Sequence, residues 1–406
     1  MWRRRNSQEP KPARVKPPKP ARSKPAPRKP ARGDTLVAID CGATSVKVCV
    51  ATISGRQLRI ERLTETPLPA EAIREGTILD SESVLKALRT ALAHAGVKTK
   101  KALLCVGGPQ TTARTIRLPR MSPEVLQKSV QYEAARYLPS AAEEHLIGFQ
   151  ILPRGTDEQM EVLLVAAPRA TAEPLLELVE KAGLEPELLE LQPFAGLRTV
   201  QALYGDSLPF AYALVDLGGE HTQITVARNT MLALTRHIPI ASGTFTAALK
   251  GYFHYSDEEA EQIKQNLNLT ELLQVGQPQE NPPLRLIQPI LDELIREIRR
   301  SLNYYQSQYQ SQGTQGRIER LFLYGGGALM QGIDTYFEHK LGLPAQIVNP
   351  FQNTEVITTG AVHPEQVQSG ARWSTVVGVA LAPIELTRPF ATPIDENEPA
   401  TTTAAA

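Results

Sequence analysis

The sequence predicts an α/β protein built from two related halves. An apolar run leads through Asp40-Cys41-Gly42 into a strand in which valines alternate from Val46 to Val50. The same unit recurs 176 residues later (position 216 against position 40), where Leu214–Gly218 stands in the place of Ala38–Gly42. An Asp-x-Gly turn between two apolar runs is typical of a β-hairpin, and repetition of such a unit indicates a duplicated architecture.

Strand-like and helix-like segments fill the region between the two copies. Ser122 can cap a helix whose first residue is Pro123, a position that tolerates proline because its N–H would be unpaired anyway. Gly183 follows another helical pattern as a C-terminal cap. In order, the predicted elements are a helix over Ser81–Gly96, strands over Ala102–Val106 and Thr112–Leu118, a helix from Ser122 to Leu138, strands over His145–Leu152 and Glu161–Ala167, and a helix over Ala172–Ala182.

Helical patterns dominate after the second copy. Ser256 and Glu259 have the spacing of a capping box. Apolar residues then recur at helical spacing over a long stretch, which predicts an amphipathic helix. In order, the predicted elements are a helix from Ser256 to about Leu267, a loop over 268–283, a helix over Ile287–Tyr305, and a strand over Leu321–Tyr324 that leads into a glycine cluster and another helix.

Charge separates an N-terminal leader from the rest of the chain. Of 44 Lys and Arg and 43 Asp and Glu, residues 1–33 hold twelve basic residues and one acid, so the leader carries +11 and the remainder −10. The leader also contains eight prolines. Such a segment cannot bury enough apolar surface to offset its ordering entropy. We therefore expect residues 1–33 to be a disordered, solvated linker, although a basic arm could also contact anionic lipid or nucleic acid; residues 386–406 are expected to be a disordered tail.

Several classes of protein are excluded by composition. Cys41, Cys49 and Cys105 cannot form a disulfide framework, and no Cys-x-x-Cys pair suggests zinc. No run reaches the roughly 18 apolar residues of a membrane span. Proline and charge, rather than an apolar segment, follow Arg3–Arg5, so the sequence predicts no secretory signal. We expect a cytoplasmic protein.

The two Asp-x-Gly hairpins are candidate phosphate-binding loops. Glycine lets backbone N–H groups approach phosphate oxygens, while hydroxyl groups add donors and a lysine adds positive charge. Asp40 and Asp216 would hold Mg²⁺ through water, because this ion sheds its water reluctantly. The candidate phosphate-contacting residues are Gly42, Ala43, Thr44, Ser45 and Lys47 in the first loop and Gly218, Gly219 and Thr222 in the second.

A third candidate element is the cluster Gly325-Gly326-Gly327-Ala328, which follows a buried strand. Bare backbone there would let a base or ribose lie against the start of a helix. Each motif alone has an ordinary structural explanation, because Asp-x-Gly is a common turn and a triple glycine is often a strand-to-helix corner. Two hairpins followed by the glycine cluster, each after a buried strand, together predict nucleotide binding.

Other chemistry-bearing residues are less informative. Glu261 and Lys264 lie one helical turn apart and share a face, which could line a ribose and adenine pocket or carry a solvated ion pair. His221 is interpreted as a polar turn residue rather than a base. No Ser-His-Asp set, metal cluster or close carboxylate pair can be placed, so the sequence predicts binding rather than catalysis.

The order of these motifs resembles the ATPase superfamily of actin, the sugar kinases and FtsA. Asp40–Lys47, Asp216–Thr222 and Gly325–Ala328 correspond to its two phosphate loops and its adenosine loop, and Glu261 and Lys264 resemble its adenosine-contacting pair. The resemblance implies an actin-like (ribonuclease H-like) duplicated core, with ATP and Mg²⁺ as cofactors.

Within that superfamily the chain is similar to the PilM family of type IV pilus assembly proteins. The segments that carry this resemblance are Gln131–Pro139, Val165–Pro168, Glu297–Tyr305 and Asn349–Phe351. The resemblance spans about residues 35–385 and implies two actin-like cores, an FtsA-type small subdomain and a helical insertion. The implied division is subdomain 1A over 34–100 and 169–207, small subdomain 1C over 101–168, subdomain 2A over 208–250 and 318–385, and helical subdomain 2B over 251–317.

The family's role implies a partner as well as a nucleotide. It implies binding to the short cytoplasmic tail of a PilN-like inner-membrane protein, in a groove of the first half beside the small subdomain, and association with other proteins of the assembly platform. We expect no nucleic acid partner, membrane association only through partners at the inner face of the cytoplasmic membrane, and slow or no ATP turnover. Self-association is left open.

Two alternatives remain at this point. An FtsA-like membrane tether in cell division would predict a C-terminal amphipathic helix with basic and bulky apolar faces, whereas Thr387–Ala406 is rich in Pro, Thr and Ala and partly acidic. A small-molecule kinase on the same fold would need a general base at the substrate hydroxyl, and no Asp can be placed there convincingly. A scaffold that holds ATP without hydrolysing it overlaps with the main interpretation.

Overall fold

The computed structural model describes residues 34–155, 157–274, 281–308 and 316–386. The predicted leader 1–33 lies outside these residues, as does the predicted tail except for its first residue. The strands are β1 (Asp34–Cys41), β2 (Ser45–Ser54), β3 (Gln57–Pro67), β4 (Ile73–Arg74), β5 (Thr77–Ile78), β6 (Lys101–Val106), β7 (Thr112–Pro119), β8 (His145–Gly155), β9 (Gln159–Pro168), β10 (Glu185–Leu191), β11 (Ala211–Leu217), β12 (Thr222–Arg228), β13 (Met231–Ile238), β14 (Leu321–Tyr324), β15 (Ala345–Ile347) and β16 (Val356–Thr358).

Helices pack on both sides of these strands. Among the described residues, five of the α-helices overlap the helices predicted over 81–96, 122–138, 172–182, 256–267 and 287–305. The α-helices are α1 (Ser81–Ala95), α2 (Pro123–Ala134), α3 (Arg169–Lys181), α4 (Gln192–Tyr204), α5 (Ser242–Phe253), α6 (Asp257–Asn266), α7 (Pro282–Gln308), α8 (Ile333–Leu341), α9 (Pro364–Gln368) and α10 (Ser374–Leu386).

Two large sheets share one topology. The first has the order β10-β6-β1-β2-β3-β16, and the second has the order β13-β12-β11-β14-β15. In each, three consecutive strands form an antiparallel meander, and two further strands add in parallel beside the first strand of that meander. The first sheet has one more strand, β16, which pairs in parallel with β3. The duplication that the repeated hairpin predicts is therefore confirmed.

Each sheet buries both faces. In the first sheet, α1 and α3 cover the face that carries Val37 and Ile39, while α10 and the start of α4 cover the face of Leu36 and Ala38. In the second sheet, α5, α7 and α8 pack on the face of Val215, and α4 packs on the opposite face. Because α4 contributes to cores of both sheets, it joins the two halves.

The three-stranded sheet β7-β9-β8 forms a smaller unit with α2. Its own apolar core contains residues from α2, β7 and β9. Ser122 caps α2 by accepting from the N–H of Val125 at 3.4 Å. The helix ends at Ala134 rather than at the predicted Leu138, because the chain turns there with a Tyr137 N–H to Ala134 carbonyl hydrogen bond of 2.8 Å.

Two stretches lie elsewhere than in the predicted division. Residues 101–106, assigned to the small subdomain, form β6 inside the first large sheet beside β1. Residues 356–386, assigned mainly to the second core, return to the first half, where β16 pairs with β3 and α10 packs on the sheet. The other boundaries of the division stay predictions.

The segment after β14 also differs from its prediction. A short 3-10 turn over Gly326–Leu329 follows the strand, and the next α-helix begins at Ile333. The capping box at Ser256 is confirmed, since its hydroxyl accepts from the Glu259 N–H while the Glu259 carboxylate accepts from the Ser256 N–H. Among the described residues, no helix combines the length and apolar character needed to cross a membrane.

Candidate functional site

A cleft of about 1250 Å³ lies between the two large sheets. The β1–β2 hairpin enters it from the first half, and the β11–β12 hairpin enters it from the second. In the register of these hairpins, Asp40 lies opposite Lys47 and Asp216 lies opposite Gln223. The repeated unit therefore places two carboxylates, one from each half, at the same cleft.

The two hairpin turns contact each other across the cleft. A Cβ on Gly219 would lie 2.5 Å from Cγ2 of Thr44, so a side chain at position 219 would push the turns apart. The start of α5 holds the second turn, because Ser242 and Gly243 donate their N–H groups to the carbonyls of Gly218 and Gly219 at 3.0 and 2.9 Å. The loops are thus positioned mainly by backbone packing.

Asp40 and Asp216 are buried at the ends of β1 and β11. Burial raises the pKa of Asp216, the nearby Asp40 carboxylate raises it further and Lys47 lowers it, with the net result that the pKa is raised to about 7. Burial likewise raises the pKa of Asp40, which Lys47 opposes. The Gln192 amide donates to Oδ2 of Asp216 at 3.2 Å. The pair is a concentration of negative charge that a cation would stabilise.

These two carboxylates fit a magnesium ion held through water. Oxygen ligands on carboxylates suit Mg²⁺, which keeps several of its waters, and the mutual repulsion of the pair is what a divalent cation would relieve. Within the described residues, no group of three or more His, Cys, Asp or Glu side chains is arranged to hold a metal ion. Asp40 and Asp216 are therefore the candidate carboxylate ligands in the cleft.

A charged network lies on the first-half wall of the cleft. The Glu65 carboxylate accepts from the Ser45 hydroxyl at 2.7 Å and lies 3.7 Å from the Lys47 ammonium. Nη2 of Arg372 lies 2.8 Å from each oxygen of Glu65. Although burial opposes it, Lys47 and Arg372 together lower the pKa of Glu65. Glu65 is therefore a carboxylate held charged among candidate phosphate donors.

Gly325 and Gly326 form an open edge on the second half. The backbone of Gly325 has φ of +88°, and a Cβ there would lie 2.4 Å from Oδ1 of Asp216, so this position requires glycine. At Gly326, no described atom lies within 4 Å of the position of a Cβ. This edge leaves bare backbone facing the cleft beside Asp216.

Glu261 and Lys264 line the cleft from α6. Lys264 is only 5% exposed, and its ammonium donates to Glu261 Oε2 at 2.7 Å and to the Thr246 hydroxyl at 3.0 Å. The Thr246 hydroxyl donates to the same carboxylate oxygen at 3.0 Å. The ammonium also donates to the Ser242 carbonyl at 3.4 Å. A largely buried lysine with three partners differs from a solvated surface pair, which was the alternative interpretation.

Most of the predicted site residues come together in this cleft. Thr222, Gly327 and Ala328 lie behind its wall instead: the Thr222 hydroxyl donates to the Ile240 carbonyl at 2.7 Å, and a Cβ on Gly327 would meet Leu217 and Ser242 at 3.0 Å. The predicted residues that line the cleft are Asp40, Gly42, Ala43, Thr44, Ser45, Lys47, Asp216, Gly218, Gly219, Glu261, Lys264, Gly325 and Gly326.

Several lining residues were missed by the sequence prediction. Gln192, the first residue of α4, donates a hydrogen bond to Asp216. Glu65 and Arg372 form an ion pair although 307 positions separate them in the sequence. The Thr246 hydroxyl accepts a hydrogen bond from Lys264. For Gln192 a signal existed, because it precedes Pro193 at the start of a helix that follows a strand. The contact between Glu65 and Arg372 leaves no local pattern.

His221 also lines the cleft, as a residue of the second turn. Burial lowers its pKa, so it is neutral at pH 7, and its ring packs against His237 with centroids 5.0 Å apart. This environment is consistent with the predicted role as a turn residue.

Comparison with known proteins shows which family this chain is similar to. Residues 38–383 match the family model described as type IV pilus assembly protein PilM. Among curated relatives, cell division protein FtsA of Bacillus subtilis is 29% identical over 258 residues, which cover 57% of this chain and 57% of the relative. FtsA of Streptococcus pneumoniae is 23% identical over 79% of this chain and 77% of that protein. The match thus spans little more than half the length of the Bacillus subtilis protein.

Solved structures share the fold. A structure titled "PilM-PilN type IV pilus biogenesis complex" superposes with a TM-score of 0.74 at 24% identity, over 86% of this chain and 98% of that one. The ethanolamine utilization protein EutJ from Carboxydothermus hydrogenoformans superposes with a TM-score of 0.53 at 16% identity, over 87% and 91%. The duplicated core and the family match agree in extent, and the chain belongs to the family of type IV pilus assembly protein PilM.

Proposed function

We propose that this chain is the ATP-binding component of a type IV pilus assembly platform and that it binds the tail of a PilN-like inner-membrane protein. The observation that carries the nucleotide part is the pairing of two Asp-x-Gly hairpins around one cleft. The two hairpins belong to different halves of the protein, and each places a buried carboxylate at the cleft. In this arrangement a ligand in the cleft would be contacted by both hairpins, one from each side.

Each wall of the cleft supplies a different part of the binding. Backbone N–H groups of the two turns and the Lys47 ammonium would hold the phosphates. Asp40 and Asp216 would hold Mg²⁺ through water, and the ion would supply positive charge that offsets the phosphates and both carboxylates. The Gly325-Gly326 edge and the Glu261–Lys264 pair would contact the nucleoside. We infer slow or no turnover, so that the nucleotide acts mainly as a conformational ligand.

The proposed partner follows from the family and from the solved PilM-PilN complex that shares this fold. We infer that a PilN-like tail docks on the first half beside the three-stranded unit of β7, β8 and β9. The protein would then work in the cytoplasm, at the inner face of the membrane and through its partner. Coupling would arise because the nucleotide cleft and the docking side share the first large sheet.

An FtsA-like role in cell division is the alternative that the curated relatives support. The family match over residues 38–383 favours the pilus role. A kinase role would need a general base for the acceptor hydroxyl. In the described cleft, Asp40 and Asp216 lie where the two hairpins meet, and the proposed function assigns them to Mg²⁺ rather than to a general base.

Calorimetry with MgATP tests the nucleotide part. Gly326→Val places a bulky side chain into the open cleft, where no described atom lies within 4 Å of its Cβ, so it should block the nucleotide and leave the fold intact. Gly360→Val is the matched control, since it adds the same side chain at an exposed turn outside the cleft, again with no described atom within 4 Å.

We expect saturable MgATP binding by the wild type and by Gly360→Val, and at least tenfold weaker binding by Gly326→Val, about 1.4 kcal/mol. Equal affinities for all three proteins would place the nucleotide elsewhere. Absence of binding by all three would refute the nucleotide-binding function. Titration with a synthetic PilN-like tail peptide tests the partner separately, and a peptide that fails to bind the ATP-competent protein would favour the FtsA-like or kinase alternative.

A further inference from the structure

Glu65 occupies the donors that a phosphate would need. It lies on β3 in register with Lys47, and it lines the cleft together with Ser45, Lys47 and Arg372. The Ser45 hydroxyl donates to it at 2.7 Å, while Arg372 places Nη2 at 2.8 Å from each of its oxygens. One carboxylate thus engages two cations and one hydroxyl of the candidate phosphate site.

The single proton of the Ser45 hydroxyl limits the hydrogen bonds that this residue can donate. A serine hydroxyl has a single proton to donate, and here that proton is directed to Glu65, while the oxygen accepts from the Lys47 ammonium at 3.1 Å. Ser45 can therefore donate to a phosphate only by leaving Glu65. Lys47 has three protons and can serve Glu65, Ser45 and a phosphate together.

The charges around Glu65 also indicate that it competes with a nucleotide for the same cations. Lys47 and Arg372 lower its pKa, so it stays ionised at pH 7 although burial disfavours the charge. The other acids that line the cleft are Asp40, Asp216, Glu220, Asp257, Glu258, Glu261 and Glu365. A nucleotide brings further negative charge, so Glu65 both repels it and shares its cations.

We propose that Glu65 is a built-in competitor for nucleotide phosphates, held in place by Arg372, and that it sets the affinity of the cleft for ATP and the preference for ATP over ADP. The proposal rests on the nucleotide-binding function proposed above. Removing the charge of Glu65 should release Lys47 and Ser45 to the nucleotide. ATP should gain more than ADP, because it brings more negative charge.

The test compares Glu65→Gln with Glu61→Gln by calorimetry with MgATP and MgADP. Glu61 lies on the same strand but outside the cleft, so its variant controls for the change in net charge. We expect Glu65→Gln to bind MgATP roughly tenfold more tightly than the wild type, with a smaller gain for MgADP and a steeper weakening by salt. Glu61→Gln should match the wild type.

Ser45→Ala supplies a second readout. If its hydroxyl is held by Glu65, Ser45→Ala should weaken MgATP binding by a larger factor in the Glu65→Ala background than in the wild type, because only in that background is the hydroxyl proton free to reach a phosphate. Unchanged or weaker MgATP binding by a folded Glu65→Gln, with normal binding by the wild type, would overturn the proposal alone. No binding by any variant would overturn it together with the nucleotide-binding function.

Discussion

The paired carboxylates make a prediction about stability that requires no ligand. Asp216→Asn keeps the shape of the side chain and an acceptor for the Gln192 amide, but it removes the buried charge beside Asp40. Since the pKa of Asp216 is raised on folding, ionising it in the folded state costs free energy. The substitution should therefore stabilise the nucleotide-free protein at neutral and alkaline pH.

The magnitude follows from the shift of the pKa from 3.8 to about 7. The penalty is absent below pH 3.8, grows as pH rises, and is complete above pH 7, where it is on the order of 4 kcal/mol. At pH 5 the same relation gives a penalty of roughly 1–2 kcal/mol. Asp216→Asn should thus raise the free energy of unfolding by roughly 2–3 kcal/mol more at pH 8 than at pH 5.

Urea unfolding at pH 5 and pH 8 measures this difference. Asp206→Asn is the control, because Asp206 is exposed in a surface turn and the same chemical change there should alter stability little at either pH. Adding Mg²⁺ should reduce the advantage of Asp216→Asn by stabilising the wild type. A substitution that destabilises the protein equally at both pH values would show that the structure stabilises the Asp216 charge, and the argument would fail.

Four further variants test the packing and the cleft. Gly378→Ala in α10 should lower the free energy of unfolding by roughly 2–4 kcal/mol, because its Cβ would lie 2.0 Å from a backbone oxygen of α4. Gly251→Ala in α5, where no described atom lies within 4 Å of the Cβ, should raise the free energy of unfolding by up to about 1 kcal/mol. Urea unfolding measures both changes. Arg198→Met should cost roughly 3–5 kcal/mol in the same assay, since it removes a largely buried guanidinium that donates to both carboxylate oxygens of Glu190 and to the Gly378 carbonyl. Lys264→Met should weaken MgATP binding roughly tenfold by calorimetry, because a hydrogen bond to a charged group is lost at the cleft wall; unchanged affinity would place the nucleoside away from α6.

The sequence predicted those parts of the fold that have local or repeated patterns. The β1–β2 and β11–β12 hairpins repeat at a fixed offset and bury the same kind of alternating strand, so their pairing could be inferred without a structure. The capping box of α6 and the amphipathic face of α7 depend on residues within one or a few turns. Elements of this kind are determined by neighbouring residues.

Long-range placement could not be predicted in the same way. β16 has three residues, which is too short for a periodic signal, and it joins the first sheet by pairing with β3 nearly 300 positions earlier in the chain. The ion pair of Glu65 and Arg372 depends on that return of the chain. The burial of Thr222, Gly327 and Ala328 behind the cleft wall could not be predicted for a related reason, since it depends on packing against α5 and β11.

The central claim is that one protein couples a nucleotide cleft to a partner tail. The most direct measurement is the affinity of the PilN-like tail peptide with and without saturating MgATP, for the wild type and for Gly326→Val. We predict that MgATP changes the peptide affinity of the wild type by at least about fivefold and leaves that of Gly326→Val unchanged. Equal peptide affinities for the wild type with and without MgATP would contradict the coupling.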